Sequence, residues 1–147
     1  MKKHDVVVAE LERIANKHKG HLRPRDVVEA AKSPKSPLHS SFDWSDTLAA
    51  RKWRLHQARN LIRVLVTYVG DGEDKLPMRV FVSLTPDRRG DRGYLSSVTV
   101  LSDRDLRLQL LSDALEEMRS FQEKYAGLKE LAEIFKAMQQ VRSKHAP

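Results

Sequence analysis

Four basic side chains, Lys52, His56, Arg59 and Arg63, recur at i, i+4, i+7 and i+11 within the stretch Asp43–Val66. At about 100° per residue this spacing puts all four on one side of a helix. No carboxylate interrupts them, because the next acidic residue after Asp46 is Asp71. An ordinary solvated helix face mixes Glu with Lys at i, i+4 spacing. A purely basic face beside an apolar one suits docking on phosphates, with Lys52, His56 and Arg63 on the backbone and Arg59 or Gln57 in reach of base edges. A second basic cluster, Arg88, Arg89 and Arg92, lies in a loop at residues 85–93 with Pro86, Gly90 and Gly93, and offers further phosphate contacts.

Other constellations carry less chemistry. His18-x-x-His21 has a spacing that could seed a metal site, but the chain has no cysteine and no nearby carboxylate completes four ligands. His39 and His56 are the residue types of an acid–base pair, without the paired carboxylates of a metal-dependent nuclease. His39-Ser40-Ser41 lacks an orienting third group and an oxyanion hole, and reads as a turn. Gly70-Asp71-Gly72 is too short and too acidic for a phosphate loop. Arg89-Gly90-Asp91 matches an adhesion tripeptide in letters only. The expectation is a non-enzymatic protein with no cofactor and no metal.

The elements that must position the basic residues follow from periodicity. Asp5 can cap a first helix over Val6–His18, whose apolar face is Val8, Leu11, Ile14 and Ala15, with Gly20 as the C′ residue. Pro24 opens a short second helix packed through Val27, Val28, Ala30 and Ala31. Two prolines at 34 and 37 make a stiff connection, and Leu38 and Phe42 form a turn under the core. The long helix then starts at Ser45 or Asp46 and runs to Leu61 or a little beyond. Its buried arc is Leu48, Leu55, Ala58, Leu61, Ile62 and Leu65; Arg51 and Arg54 lean to the core edge, and Trp53 covers the preceding loop. Strands are expected at Arg63–Val69, Met78–Leu84 and Tyr94–Leu101, as a three-stranded antiparallel meander. Ser102-x-x-Asp105 resembles a capping box. It opens a helix to about Tyr125 with Leu108, Leu111, Leu115, Met118 and Tyr125 on one face. Gly127 breaks it, and residues 128–142 form a last helix with Leu131, Ile134, Phe135, Met138 and Val141 at 3–4 spacing. That face can complete the core of one chain or pair two chains as a homo-oligomer.

Charge is distributed unevenly. The 147 residues carry a formal net charge of +7. Residues 1–69 hold 14 Lys and Arg against 7 Asp and Glu, while residues 70–101 and 102–147 are each balanced. A one-sided positive field steers polyanions. No run approaches the ~18 apolar residues of a membrane span. The apolar run Val6–Ala9 is too short for a signal peptide, so a cytoplasmic setting without a membrane partner is expected.

One stretch resembles a known family. Leu22-x-Pro24-x-x-Val27-Val28-x-Ala30-Ala31, then Ser36-Pro37-Leu38-His39-x-x-Phe42-x-Trp44-x-Asp46, then Ala49-Ala50, Arg54 and Gln57-Ala58-Arg59-x-Leu61-Ile62 is similar to small uncharacterised proteins encoded by bacteriophages and prophages. The likeness runs from Leu22 to Ile62. It hands over no catalytic residue, and implies a bacterial or viral cytoplasm and roles in DNA binding, regulation or particle assembly.

The expected architecture is α+β. A basic helical and β-meander domain at 1–101 has the element order of a winged helix, and a helical hairpin follows at 102–147. The Ala15 to Gly20 spacing departs from the usual helix-turn-helix pattern, and the long helix exceeds most recognition helices. The expected function is nucleic-acid binding, double-stranded DNA above all; the alternative is a phage structural or particle-assembly protein.

Overall fold

The computed structural model describes residues 3–44, 47–69 and 75–145. Helix α1 (Lys3–Lys17) buries Val7, Leu11, Ile14 and Ala15. It ends in a Schellman-type turn in which the Gly20 N–H donates to the Ala15 carbonyl at 2.9 Å. The left-handed C′ residue is Lys19 (φ 57°), not Gly20, which follows with φ 84°. Two successive positive φ angles reverse the chain at once, so that β1 (His21–Leu22) begins directly after the helix. Helix α2 (Pro24–Ala31) has its proline in the first turn and buries Val27 and Ala31. A 3-10 turn at His39–Ser41 follows the two-proline connection, with Leu38 and Phe42 buried on either side of it.

Helix α3 (Leu48–Val64) starts later than periodicity predicts. The alternatives Ser45 and Asp46 lie outside the described residues. Thr47 is the cap, its Oγ1 accepting from the Ala50 N–H at 3.1 Å. The buried strip is Ala50, Arg54, Ala58 and Ile62, continued by Leu65. The expected arc is thus turned away from Leu48, which is 76% exposed, toward Arg54, which is 7% exposed. Arg54 can lie inside because its Nη1 donates to the Asp43 carbonyl at 2.7 Å and its guanidinium lies 5.4 Å from the Trp44 ring centre. Arg51, expected beside it at the core edge, is exposed. Trp53 does not cover the preceding loop either. It is exposed and stacks on His56, with ring centres 5.2 Å apart.

Strand β2 (Val66–Val69) pairs antiparallel with β3 (Leu76–Arg79), in the register Val66 with Arg79 and Val69 with Leu76. Strand β4 (Phe81–Val82) pairs antiparallel with β5 (Tyr94–Ser96), and β5 pairs with β1 on its other edge. Both successive pairings of the meander occur, but in two ladders, because Val80 separates β3 from β4. The last strand is shorter than expected. Ser97 leaves it by donating its N–H to the Val80 carbonyl at 2.8 Å and its hydroxyl to the Arg79 carbonyl at 2.5 Å. Helix α5 (Ser97–Ser102) takes the place of residues predicted as strand. Between β4 and β5 lies a short helix, α4 (Thr85–Arg89). Leu11, Leu22, Val27, Leu38, Ile62 and Phe81 fill the centre of this α+β unit.

The chain divides into two compact units, Met1–Asp103 and Arg104–Pro147. The second is a helical hairpin of α6 (Arg104–Tyr125), a 3-10 turn at Lys129–Leu131 and α7 (Ala132–Lys144). The Ser102 hydroxyl donates to the Val98 carbonyl and belongs to α5, and α6 begins only at Arg104, so Ser102 is not the residue next to its first turn. Phe121 meets Tyr125 and, edge-on at 6.2 Å, Phe135. Phe135 and Met138 are buried; Leu108, Ile134 and Val141 are exposed. Among the described residues, no helix is long and apolar enough to cross a membrane.

Candidate nucleic-acid interface

Helix α3 runs past Leu61 to Val64, so Arg63 is helical and completes the stripe of Lys52, His56, Arg59 and Arg63. All four side chains are exposed. They stand roughly opposite the strip of Arg54, Ala58 and Ile62, as their 3.6-residue periodicity requires. Lys52, Arg59 and Arg63 form no ion pair among the described residues. His56 is partly engaged: its ring stacks on Trp53, and its Nε2 meets the Asn60 amide at 2.9 Å. Gln57 Oε1 accepts from the Asp43 N–H at 3.3 Å, which leaves its Nε2 amide as the donor it can offer. It ties the loop before α3 to the helix, beside Arg54, which holds the Asp43 carbonyl.

The three loop arginines do not form one free basic tip. Their loop is helical at α4. Arg88 folds back, Nη1 donating to the Ser83 carbonyl and Nη2 to Thr85 Oγ1 at 2.5 Å. Arg92 lies with Nε 3.1 Å from Oδ1 of Asp87, a carboxylate that is itself buried. Arg89 alone is exposed without a partner among the described residues.

The histidine motifs resolve into separate environments. His18 Nδ1 accepts from Arg23 Nη2 at 3.2 Å, since a guanidinium only donates. The neutral ring therefore carries its proton on Nε2, 3.8 Å from Asp26 Oδ2. His21 Nε2 instead lies 3.7 Å from Asp87 Oδ1. His39 donates from Nδ1 to the Ala31 carbonyl at 2.9 Å and stacks on Trp44, while the Trp44 indole donates to the His39 carbonyl at 3.0 Å. That network closes the turn at His39–Ser41 onto α2. Among the described residues, no three His, Asp or Glu side chains are grouped to share one metal ion.

Two arginines elsewhere, Arg13 and Arg119, are matched with carboxylates. Arg13 Nη2 lies 2.5 Å from Glu10, and this hydrogen bond holds the Glu10 carboxyl below the ordinary range and raises the guanidinium. Arg119 clasps Glu116 and approaches Glu123 at 3.5 Å. Its hydrogen bond depresses Glu116, and Glu116 in turn raises Arg119.

A second concentration of cations is absent from the sequence expectations. The end of α1, strand β1, the start of α2 and the segment after α4 enclose a cleft of about 440 Å³. Lys17, Lys19, Arg23, Arg25 and Arg92 line it, with His18, His21 and Asp91. The local signal was the density of Lys, His and Arg between residues 17 and 25. What local reading does not supply is the β1–β5 pairing that brings Arg92 to the same place. No protein-family model matches the chain, and no curated protein and no solved structure shows significant similarity to it.

Proposed function

We propose that this protein is a non-enzymatic nucleic-acid-binding protein of bacterial or phage type, acting in the cytoplasm, and that it holds double-stranded DNA against the exposed face of α3. The supporting observation is that Lys52, Arg59 and Arg63 lie exposed on one helix face without a carboxylate, whereas Arg13, Arg23, Lys32, Arg92 and Arg119 each sit against one. An unneutralised row of cations at helical spacing displaces counterions from a phosphate backbone, and that release supplies affinity. Arg59, or Gln57 through its Nε2 amide, reads base edges; Lys52, His56 and Arg63 meet phosphates. Arg89 adds one contact from the loop. Arg88 and Arg92 are held by their own neighbours.

The test is fluorescence anisotropy of the full chain with a labelled duplex across a salt series. Phosphate tracking gives a linear fall of log K with log salt, about 0.9 per contact. Arg63→Ala should lower that slope by roughly one, and Arg59→Ala should cost about 1–3 kcal/mol on a preferred site and little elsewhere, each with stability changed by less than about 0.5 kcal/mol. Unchanged binding by the double variant would overturn the reading. A role in particle assembly is favoured instead by the exposed Leu108, Ile134 and Val141 of the hairpin. Light scattering of the same sample decides it: large closed assemblies that bind DNA without using α3 support that role.

A further inference from the structure

The cleft at the end of α1 is built differently from the α3 face. Gly93 (φ 85°) lies so close to β1 that an added Cβ would press into the Leu22 carbonyl oxygen and lie 2.9 Å from Arg23 Cα. This approach sets Arg92 beside the His21–Arg23 segment. Two guanidiniums are then fixed from behind. Arg23 grips Asp26 with Nε at 2.5 Å and Nη2 at 3.1 Å, leaving Nη1. Arg92 uses Nε on buried Asp87, leaving both terminal nitrogens. Lys17, Lys19 and Arg25 also line the cleft and form no ion pair among the described residues. Lys17, Lys19, Arg23, Arg25 and Arg92 stand against Asp91 in the lining and against Asp26 and Asp87 behind Arg23 and Arg92, a formal surplus of two without counting the histidines.

We propose that this cleft binds a phosphate monoester group, carried by a small molecule or by the end of a nucleic-acid strand. The two terminal nitrogens of Arg92 can meet phosphate oxygens as a fork, and Nη1 of Arg23 adds a single donor. The surplus of two answers the second ionisation of a monoester near neutral pH. A backbone diester carries one charge, whereas a monoester approaches two, and the Gly90–Arg92 segment and the end of α1 both line the site. The volume leaves room for part of the molecule that carries the phosphate. Asp91 lines the cleft and opposes an anion there, so it limits affinity. No residue of α3 lines the site.

The experiment follows the His18 and His21 ring resonances of the full chain by NMR, at fixed pH and ionic strength. Three probes are titrated: inorganic phosphate, ribose 5-phosphate, and one oligonucleotide with either a 5′-phosphate or a 5′-hydroxyl. Saturable shifts of both rings are expected. Arg25→Gln, which removes a cation with no ion-pair partner, should weaken phosphate binding roughly tenfold with the rest of the spectrum unchanged. Asp91→Asn, which tolerates the same positive φ, should tighten it. The Arg59→Ala/Arg63→Ala variant should bind phosphate as the parent does, which separates this site from the proposed DNA face. Preference for the 5′-phosphorylated strand assigns the group to strand ends, and equal binding of the two strands with saturable ribose 5-phosphate binding assigns it to a small molecule. Shifts that do not saturate with any probe, or equal affinity of parent and Arg25→Gln, would overturn the proposal.

Discussion

The exposed face of α3 and the cleft beside β1 are both basic, yet they present their cations in opposite ways. On α3 the long side chains stand on a convex surface and meet no carboxylate among the described residues. No ion pair among the described residues fixes Lys52, Arg59 or Arg63, and ordering them costs side-chain entropy each time they meet a partner. In the cleft Arg23 and Arg92 are each aimed by a carboxylate, Asp26 and Asp87. Those carboxylates cancel part of the charge and remove much of the disorder. The first arrangement gives long-range attraction with loose geometry, suited to a repeating polyanion. The second gives a weaker far field and a defined donor set, suited to one anionic group. Net charge alone cannot distinguish them.

The largest way to break the comparison is Gly93→Ala. The substitution forces an L side chain into positive φ and into the backbone of β1. Conformational strain and overpacking together should cost about 3 kcal/mol by chemical denaturation. The cleft should suffer before the α3 face does, so anion binding at His18 and His21 is lost even where residual folded protein still binds duplex. A variant as stable as the parent would mean that β1 and β5 do not approach as closely as described.

Next in size is Arg54→Ala, which contrasts the two sides of one helix. Its charged hydrogen bond to Asp43 and its packing over Trp44 should be worth roughly 2–3 kcal/mol together. Exposed Arg51→Ala should change stability by less than about 0.5 kcal/mol. Equal effects from the two would return Arg54 to the surface, and with it the rotated buried strip of α3.

How legible these features were in the sequence depended on their range. The basic stripe and the helices obey a local period, and periodicity finds them. Leu48 carries the apolar letter at the edge of the arc, yet it is Arg54 that is buried. The actual winner depends on a carbonyl eleven residues away. The strands were located, but the division into two ladders turns on Ser97 capturing carbonyls of residues 79 and 80, which no local pattern encodes. The cleft was illegible for the same reason. Its residues read as a helix C-terminus, a histidine pair and an arginine-rich loop until β1 pairs with β5. Arg88 and Arg92 read as free cations, because sequence does not show that Ser83 and Asp87 are within their reach.

The smallest effect sharpens the distinction between a paired arginine and an unpaired one. Glu10 is held below the ordinary carboxylate range first by its hydrogen bond to Arg13; burial opposes this, and the charges of Arg13 and Lys17 add to it. A carboxyl whose pKa is depressed by folding contributes stability above its unfolded value and loses it as pH falls through the folded one. Arg13→Ala should therefore lower the melting temperature slightly at neutral pH, and the difference from the parent should shrink once the medium is acidic enough to protonate Glu10 in both. Arg59→Ala releases no carboxylate among the described residues, so its small difference should stay constant over the same range. Melting curves of the three proteins at neutral pH and below the carboxylate range decide the matter. A difference for Arg13→Ala that persists unchanged in acid would show that its pairing with Glu10 contributes nothing, and that exposed partnered arginines on this protein are energetically no different from the bare ones of α3.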